Sequence, residues 1–130
     1  VDLRTFDELE AEDILFIDSS HRCFMNSDVT VIFLDILPRL SAGVLVEFHD
    51  ILLPYDYPLA WREWYFSEQY LLAVSLLAEG NKFDIILPNF FVSRDSELNN
   101  ILAPIWGNRE MYAVKRHRWS HGSSFWIQTK

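Results

Sequence analysis

Cysteine is almost absent: Cys23 is the single example in 130 residues, and only four glycines occur. A lone thiol cannot close an internal disulfide, and no Cys/His spacing suits zinc, so a reducing compartment, the cytoplasm, is expected. The glycines, Gly43, Gly80, Gly107 and Gly122, are isolated, so no G-x-G loop for cradling phosphate or a cofactor can be written. Long apolar runs are missing too. The longest, residues 71–78, is interrupted by Ser75 and is far too short to span a bilayer. The opening Val1-Asp2-Leu3-Arg4 carries no signal-peptide pattern. Basic residues are outnumbered, 11 Lys and Arg against 19 Asp and Glu, for a formal charge of −8. That balance argues against a nucleic-acid partner and against an anionic membrane surface. What is present is enough to fold: half the residues are hydrophobic and 15% are aromatic. The length allows one domain at most.

Residues 13–21 organise the rest. Ile14, Leu15, Phe16 and Ile17 form a short run that is apolar on both faces, as in a central strand of a covered parallel sheet. The run stops at Asp18, Ser19, Ser20 and His21. Ligands of open α/β sheets bind outside the carboxyl ends of such strands. A second copy follows at residues 43–50, where Val44, Leu45, Val46, Glu47 and Phe48 lead into His49 and Asp50. Two neighbouring strands should therefore deliver Asp/His and His/Asp pairs to one rim.

In chain order, Thr5-Phe6-Asp7-Glu8 fits a capping box that opens a short helix. Ser27 or Asp28 caps a second helix, with Val29, Ile32, Phe33, Ile36, Leu37 and Leu40 on one stripe. Pro38 and Gly43 end it and turn the chain into the second strand, which completes a strand–helix–strand unit with a right-handed crossover. An aromatic loop pinned by Pro54 and Pro58 precedes a long helix over 60–79. A third strand is expected over 83–87 and a last one over 124–128. The intervening 88–123 is too long for a hairpin turn and contains a helical stretch at 95–102 and a basic loop at 116–122.

Ile17-Asp18-Ser19-Ser20-His21 and His49-Asp50-Ile51 resemble the strand ends of a bacterial group of class I S-adenosylmethionine-dependent methyltransferases. Leu37-Pro38-Arg39-Leu40, the loop 54–61, Ser67-Glu68-Gln69-Tyr70-Leu71-Leu72 and Gly122-Ser123-Ser124-Phe125-Trp126 extend the likeness over nearly the whole chain. The resemblance implies a Rossmann-like α/β sheet ordered 3-2-1-4-5-7-6, with strand 7 antiparallel. This chain would supply strands 4, 5, 6 and 7 with their flanking helices. The family's Gly-rich loop after strand 1 and its ribose-binding acid after strand 2 have no counterpart. Residues 1–130 are thus expected to be one partial domain, the C-terminal half of a methyltransferase, inactive alone. Its first strand would present a bare apolar edge prone to self-association.

The resemblance places Asp18, Ser19 and Ser20 toward S-adenosylmethionine, and Asp18, His49 and His21 toward the chemistry on a small-molecule acceptor. In catechol-type relatives the corresponding strand ends bind magnesium, which lays Asp18, His49 and Asp50 out as a candidate site for a divalent metal. Histidine in such a set suits softer metals, or else His49 acts without metal as a general base near neutral pH. Plainer readings exist for each: Asp18 as a loop-fixing acid, Ser19 and Ser20 as caps of backbone groups, His21 as a solvated loop residue. Glu68 lies within an apolar helix face, where it hydrogen-bonds to the rim or, more plainly, is an exposed helical acid. Tyr55, Tyr57, Trp61 and Trp64 line an acceptor pocket or belong to the core. Two other classes stay open: a metal-dependent hydrolase built on Asp18, His21, His49 and Asp50, and a non-catalytic remnant that needs a partner chain.

Overall fold

Two short apolar runs lay down the sheet. The computed structural model describes residues 2–78, 81–111 and 122–130. Val1, Glu79, Gly80, His117, His121 and most of the expected basic loop lie outside the described residues. Strand β1 (Ile14–Ile17) pairs in parallel with β2 (Leu45–Phe48), placing Ile14 opposite Leu45 and Ile17 opposite Phe48. Strand β4 (Phe125–Thr129) runs antiparallel to β2, and β3 (Phe83–Pro88) antiparallel to β4. The order across the sheet is β1-β2-β4-β3, so the strand formed last in the chain sits inside it. The result is a mixed α/β domain with an open four-stranded sheet and flanking helices, as the alternating apolar runs and helical stripe require.

Alternation of side chains assigns the faces. Ile17, Val46, Phe48, Phe125, Ile127 and Phe83 point to one face and are buried there. They meet Val29, Ile32, Phe33, Ile36 and Leu37 from the expected helical stripe, with Phe33 stacked on Phe48 at 5.5 Å. Each fully buried large side chain of this kind contributes about 1.5–3 kcal/mol. Leu72 closes the same core from helix α2 (Glu68–Ala78). The other face is open at the β1 edge, where Ile14 and Phe16 remain 58% and 61% exposed.

The stripe helix begins as α1 (Asp28–Val31), with Ser27 accepting the Thr30 N–H as its cap. It continues as a π-helical segment over Ile32–Ile36 and a 3₁₀ turn over Leu37–Arg39 that accommodates Pro38. Gly43 takes φ +93, and a Cβ there would lie 2.7 Å from the Cβ of Ala11, so no other residue fits this turn.

Two expectations are corrected and one is extended. The first helix is a 3₁₀ segment (Leu3–Glu8) capped by Asp2 rather than Thr5, because Asp2 reaches both the backbone and the guanidinium of Arg4. The long helix over 60–79 is broken. A 3₁₀ segment (Leu59–Trp64) ends at Tyr65, whose left-handed backbone turns the chain before α2 starts. The helical stretch expected at 95–102 is present as α4 (Ser96–Trp106), and among the described residues of the insert α3 (Asn89–Arg94) precedes it, because Asp95 ends one and caps the other through the N–H groups of Glu97 and Leu98. Among the described residues no helix is long and apolar enough to cross a membrane.

Candidate functional site

Parallel pairing of β1 with β2 brings their carboxyl ends together. Asp18 and His49 each follow the last residue of a paired strand, and the His49 N–H donates to the Ile17 carbonyl at 2.9 Å. Asp18 and His49 therefore share one rim, as the two apolar runs implied. Both turns beyond it are tight: His21 and Asp50 have φ of 57° and 51°, in the left-handed region. Non-glycine residues held there cluster at functional sites.

A chain of polar contacts runs from the rim into the interior. The Asp18 carboxylate, 57% exposed, lies 3.4 Å from His21 Nε2. His21 is buried, and its Nδ1 lies 2.8 Å from Glu68 Oε2. Ser19 Oγ donates to the same oxygen at 2.9 Å. Both ring nitrogens of His21 thus face carboxylates. Burial opposes charging the ring, but the hydrogen bond and charge of Glu68, with Asp50 and Asp18 adding, outweigh it and raise the His21 pKa above its ordinary value. The Phe66 ring packs on the imidazole at 4.6 Å and belongs to a cluster with Tyr57, Trp61 and Trp64. Burial pushes the Tyr57 hydroxyl up. Of the aromatic residues proposed for an acceptor pocket, Trp61 is buried in this cluster, while Tyr55 and Trp64 keep exposed edges.

His49 is 43% exposed and stands over Phe16, with ring centres 6.1 Å apart. Its Nδ1 is 3.7 Å from Glu47 Oε1 and its Nε2 3.9 Å from Asp50. Glu47 is only 1% exposed, and neither carboxylate oxygen has a hydrogen-bond partner among the described residues. Burial raises its pKa, against the opposing charge of His49. Asp50 accepts from Ser123 Oγ at 2.6 Å, which ties the second rim turn to the segment entering β4.

The other two candidates are engaged within the protein. Ser19 Oγ bonds Glu68 and accepts the His21 N–H, while Ser20 gives its hydroxyl and its N–H to Asp28. Burial pushes Asp28 up, but these bonds and the Val29 N–H hold it below the usual carboxylate range. Asp18 and Ser19 border an open groove of about 230 Å³ whose apolar wall is Leu15, Phe16, Ile32 and Ile36. Ligand pockets usually span roughly 300–1,000 Å³, so this groove is smaller than most of them. Among the described residues no three His, Cys, Asp or Glu side chains are gathered to hold a metal ion.

No family model, curated protein or solved structure matches the chain.

Of the two readings of Glu68, the hydrogen bond to the rim holds and the exposed helical acid does not: Glu68 is fully buried, with its Oε1 lacking a hydrogen-bond partner among the described residues. Glu47 was not foreseen. Glu47 was visible only as a charge inside the apolar run 44–48. That charge is the one signal the sequence offers for it.

Proposed function

We propose that the chain is the C-terminal part of a Rossmann-like S-adenosylmethionine-dependent methyltransferase sheet. The complete enzyme transfers a methyl group to oxygen or nitrogen of a small-molecule acceptor in the cytoplasm, and this part is inactive alone. The observation that carries the reading is the sheet: β1-β2-β4-β3 with β4 reversed agrees with strands 4-5-7-6 of that family, and Asp18 and His49 end the two parallel members. The open face at Ile14 and Phe16 is where the missing strands and helices of such a domain would pack.

The residues present fit one side of the cofactor: an exposed carboxylate, Asp18, at the lip of a groove with an apolar wall. When bound, that cofactor supplies the electrophilic methyl group. Asp18 accepts a hydrogen bond from acceptor or cofactor and fixes its approach. His49, the exposed imidazole of the rim, takes the proton from the acceptor hydroxyl or amine as general base. The donor set does not fit a metal as arranged, so no step is assigned to one.

The test is calorimetric binding of S-adenosylmethionine to the full-length polypeptide that carries these residues, beside its Asp18→Asn variant. Saturable binding weakened about tenfold by the substitution, close to 1.4 kcal/mol, supports the reading. A full-length protein that binds no adenosylated cofactor overturns it and favours a non-catalytic scaffold.

A further inference from the structure

The loop after β1 is stapled to the start of α2. The His21 carbonyl accepts the N–H groups of Ser67 and Glu68 at 2.7 and 3.2 Å. The Cys23 N–H donates to Ser67 Oγ at 2.8 Å, and Arg22 Nε donates to the Trp64 carbonyl at 2.8 Å. The His21 carbonyl is thus held by Ser67 and Glu68, and its side chain by Glu68.

The chemistry at Glu68 exceeds what a latch needs. Its neighbour Gln69, equally buried, performs a purely structural task with a neutral amide: it accepts the Leu52 N–H at 3.1 Å and donates to the Tyr55 carbonyl. Glu68 instead brings a carboxyl group into a dry site, concentrates two donors on Oε2 and leaves Oε1 without a hydrogen-bond partner among the described residues. An acid retained at such expense is explained by what it does to the imidazole. The Glu68 carboxylate on Nδ1 fixes the ring orientation and, with the other acids, favours the ring protonated on both nitrogens. Nε2 then lies 3.4 Å from the Asp18 carboxylate.

We propose that Glu68 and His21 are positioning residues for Asp18, with Glu68 holding the His21 ring so that Nε2 steers the rim carboxylate. His21 is thereby removed from the group that touches the acceptor and assigned to orienting it. The assignment rests on the methyl-transfer reading for its catalytic consequence, but the coupling of Glu68 to Asp18 does not.

The test uses Glu68→Gln and His21→Gln in the full-length protein, read in two ways. Carbon and nitrogen NMR report the Asp18 carboxyl and the His21 ring, and steady-state kinetics separate kcat from acceptor KM. Both variants are expected to shift the Asp18 carboxyl resonance, and Glu68→Gln also the His21 Nδ1 resonance. Each should lower kcat at least tenfold with KM held within about twofold, and the double variant should be no worse than either single one. A Glu68→Gln protein that folds with unmoved Asp18 and His21 resonances overturns the proposal, as do losses that multiply in the double variant. If Glu68→Gln does not fold, His21→Gln decides alone, since it must move Asp18 and kcat together. A wild-type protein without methyl transfer removes the functional reading, whereas the resonance shifts still decide the positioning.

Discussion

His21 Nδ1 lies 2.8 Å from Glu68 Oε2 across 47 residues of sequence, and both groups are buried. The contact joins the first rim turn to the first turn of α2, and it makes the loop after β1 depend on a helix that starts only after β2 and the 3₁₀ segment Leu59–Trp64.

One outcome is a pH signature. The His21 pKa is raised in the folded protein over its ordinary 6.5, so its contribution to stability is fully present below that value and is lost as pH rises through the higher folded value. Urea denaturation across this window should show a fall in stability that His21→Gln removes. Equal slopes in the two proteins would contradict the linkage.

Glu47 gives a prediction of opposite consequence. Burial raises its pKa, so the folded state binds its proton more tightly and its contribution falls as pH rises from the ordinary carboxylate range. At pH 7 the buried carboxyl, without a hydrogen-bond partner among the described residues, is a liability, and Glu47→Leu should stabilise the protein by about 1–3 kcal/mol. The gain should shrink in acid. A denaturant midpoint that falls at pH 7 would instead mean that Glu47 is satisfied by the pairing with His49.

The open edge of β1 should show in sedimentation. Ile14 and Phe16 project from one side of an edge strand, and unpaired edges recruit further strands. The chain should self-associate with rising concentration, and Phe16→Lys should return it to a monomer. A wild-type monomer at every concentration would sink the idea.

Gly43→Ala tests the entry to β2. With φ at +93 and its new Cβ against Ala11, the variant should lose about 1–3 kcal/mol in chemical denaturation. An unchanged midpoint would mean that the turn relaxes freely.

Much of the sheet was legible in the amino-acid order. Runs such as 14–17 and 44–48 are too short and too apolar for a helix, and the intervening stripe with its Ser27 cap forces a crossover, so parallel neighbours follow. The shared rim of Asp18 and His49 came with it. The break at Tyr65 was not legible. Trp64, Tyr65 and Phe66 have middling helix propensity, and what ends the segment is tertiary: the Trp64 carbonyl and Ser67 hydroxyl are taken by the loop 19–23. Glu68 was half legible: its place on an apolar helix face allows a bond to the rim, but the plainer reading was an exposed acid. An acid beside apolar helical residues looks solvated until its partner, far away in sequence, is known to lie under it. Asp2 displaced Thr5 as a cap because Arg4 rewards an acid two residues ahead with both main-chain and side-chain bonds.

The position of β4 carries one last consequence, for assembly of the molecule. Phe125–Thr129 separates β2 from β3 and bonds both, and its Thr129 hydroxyl takes the N–H of Val44 across 85 residues. Among the described residues β3 pairs only with β4, so that half of the sheet closes only once residues 125–129 have emerged during synthesis, although β1 and β2 can pair before. Renaturation should be correspondingly slow, governed by one distant closure instead of by local helix formation.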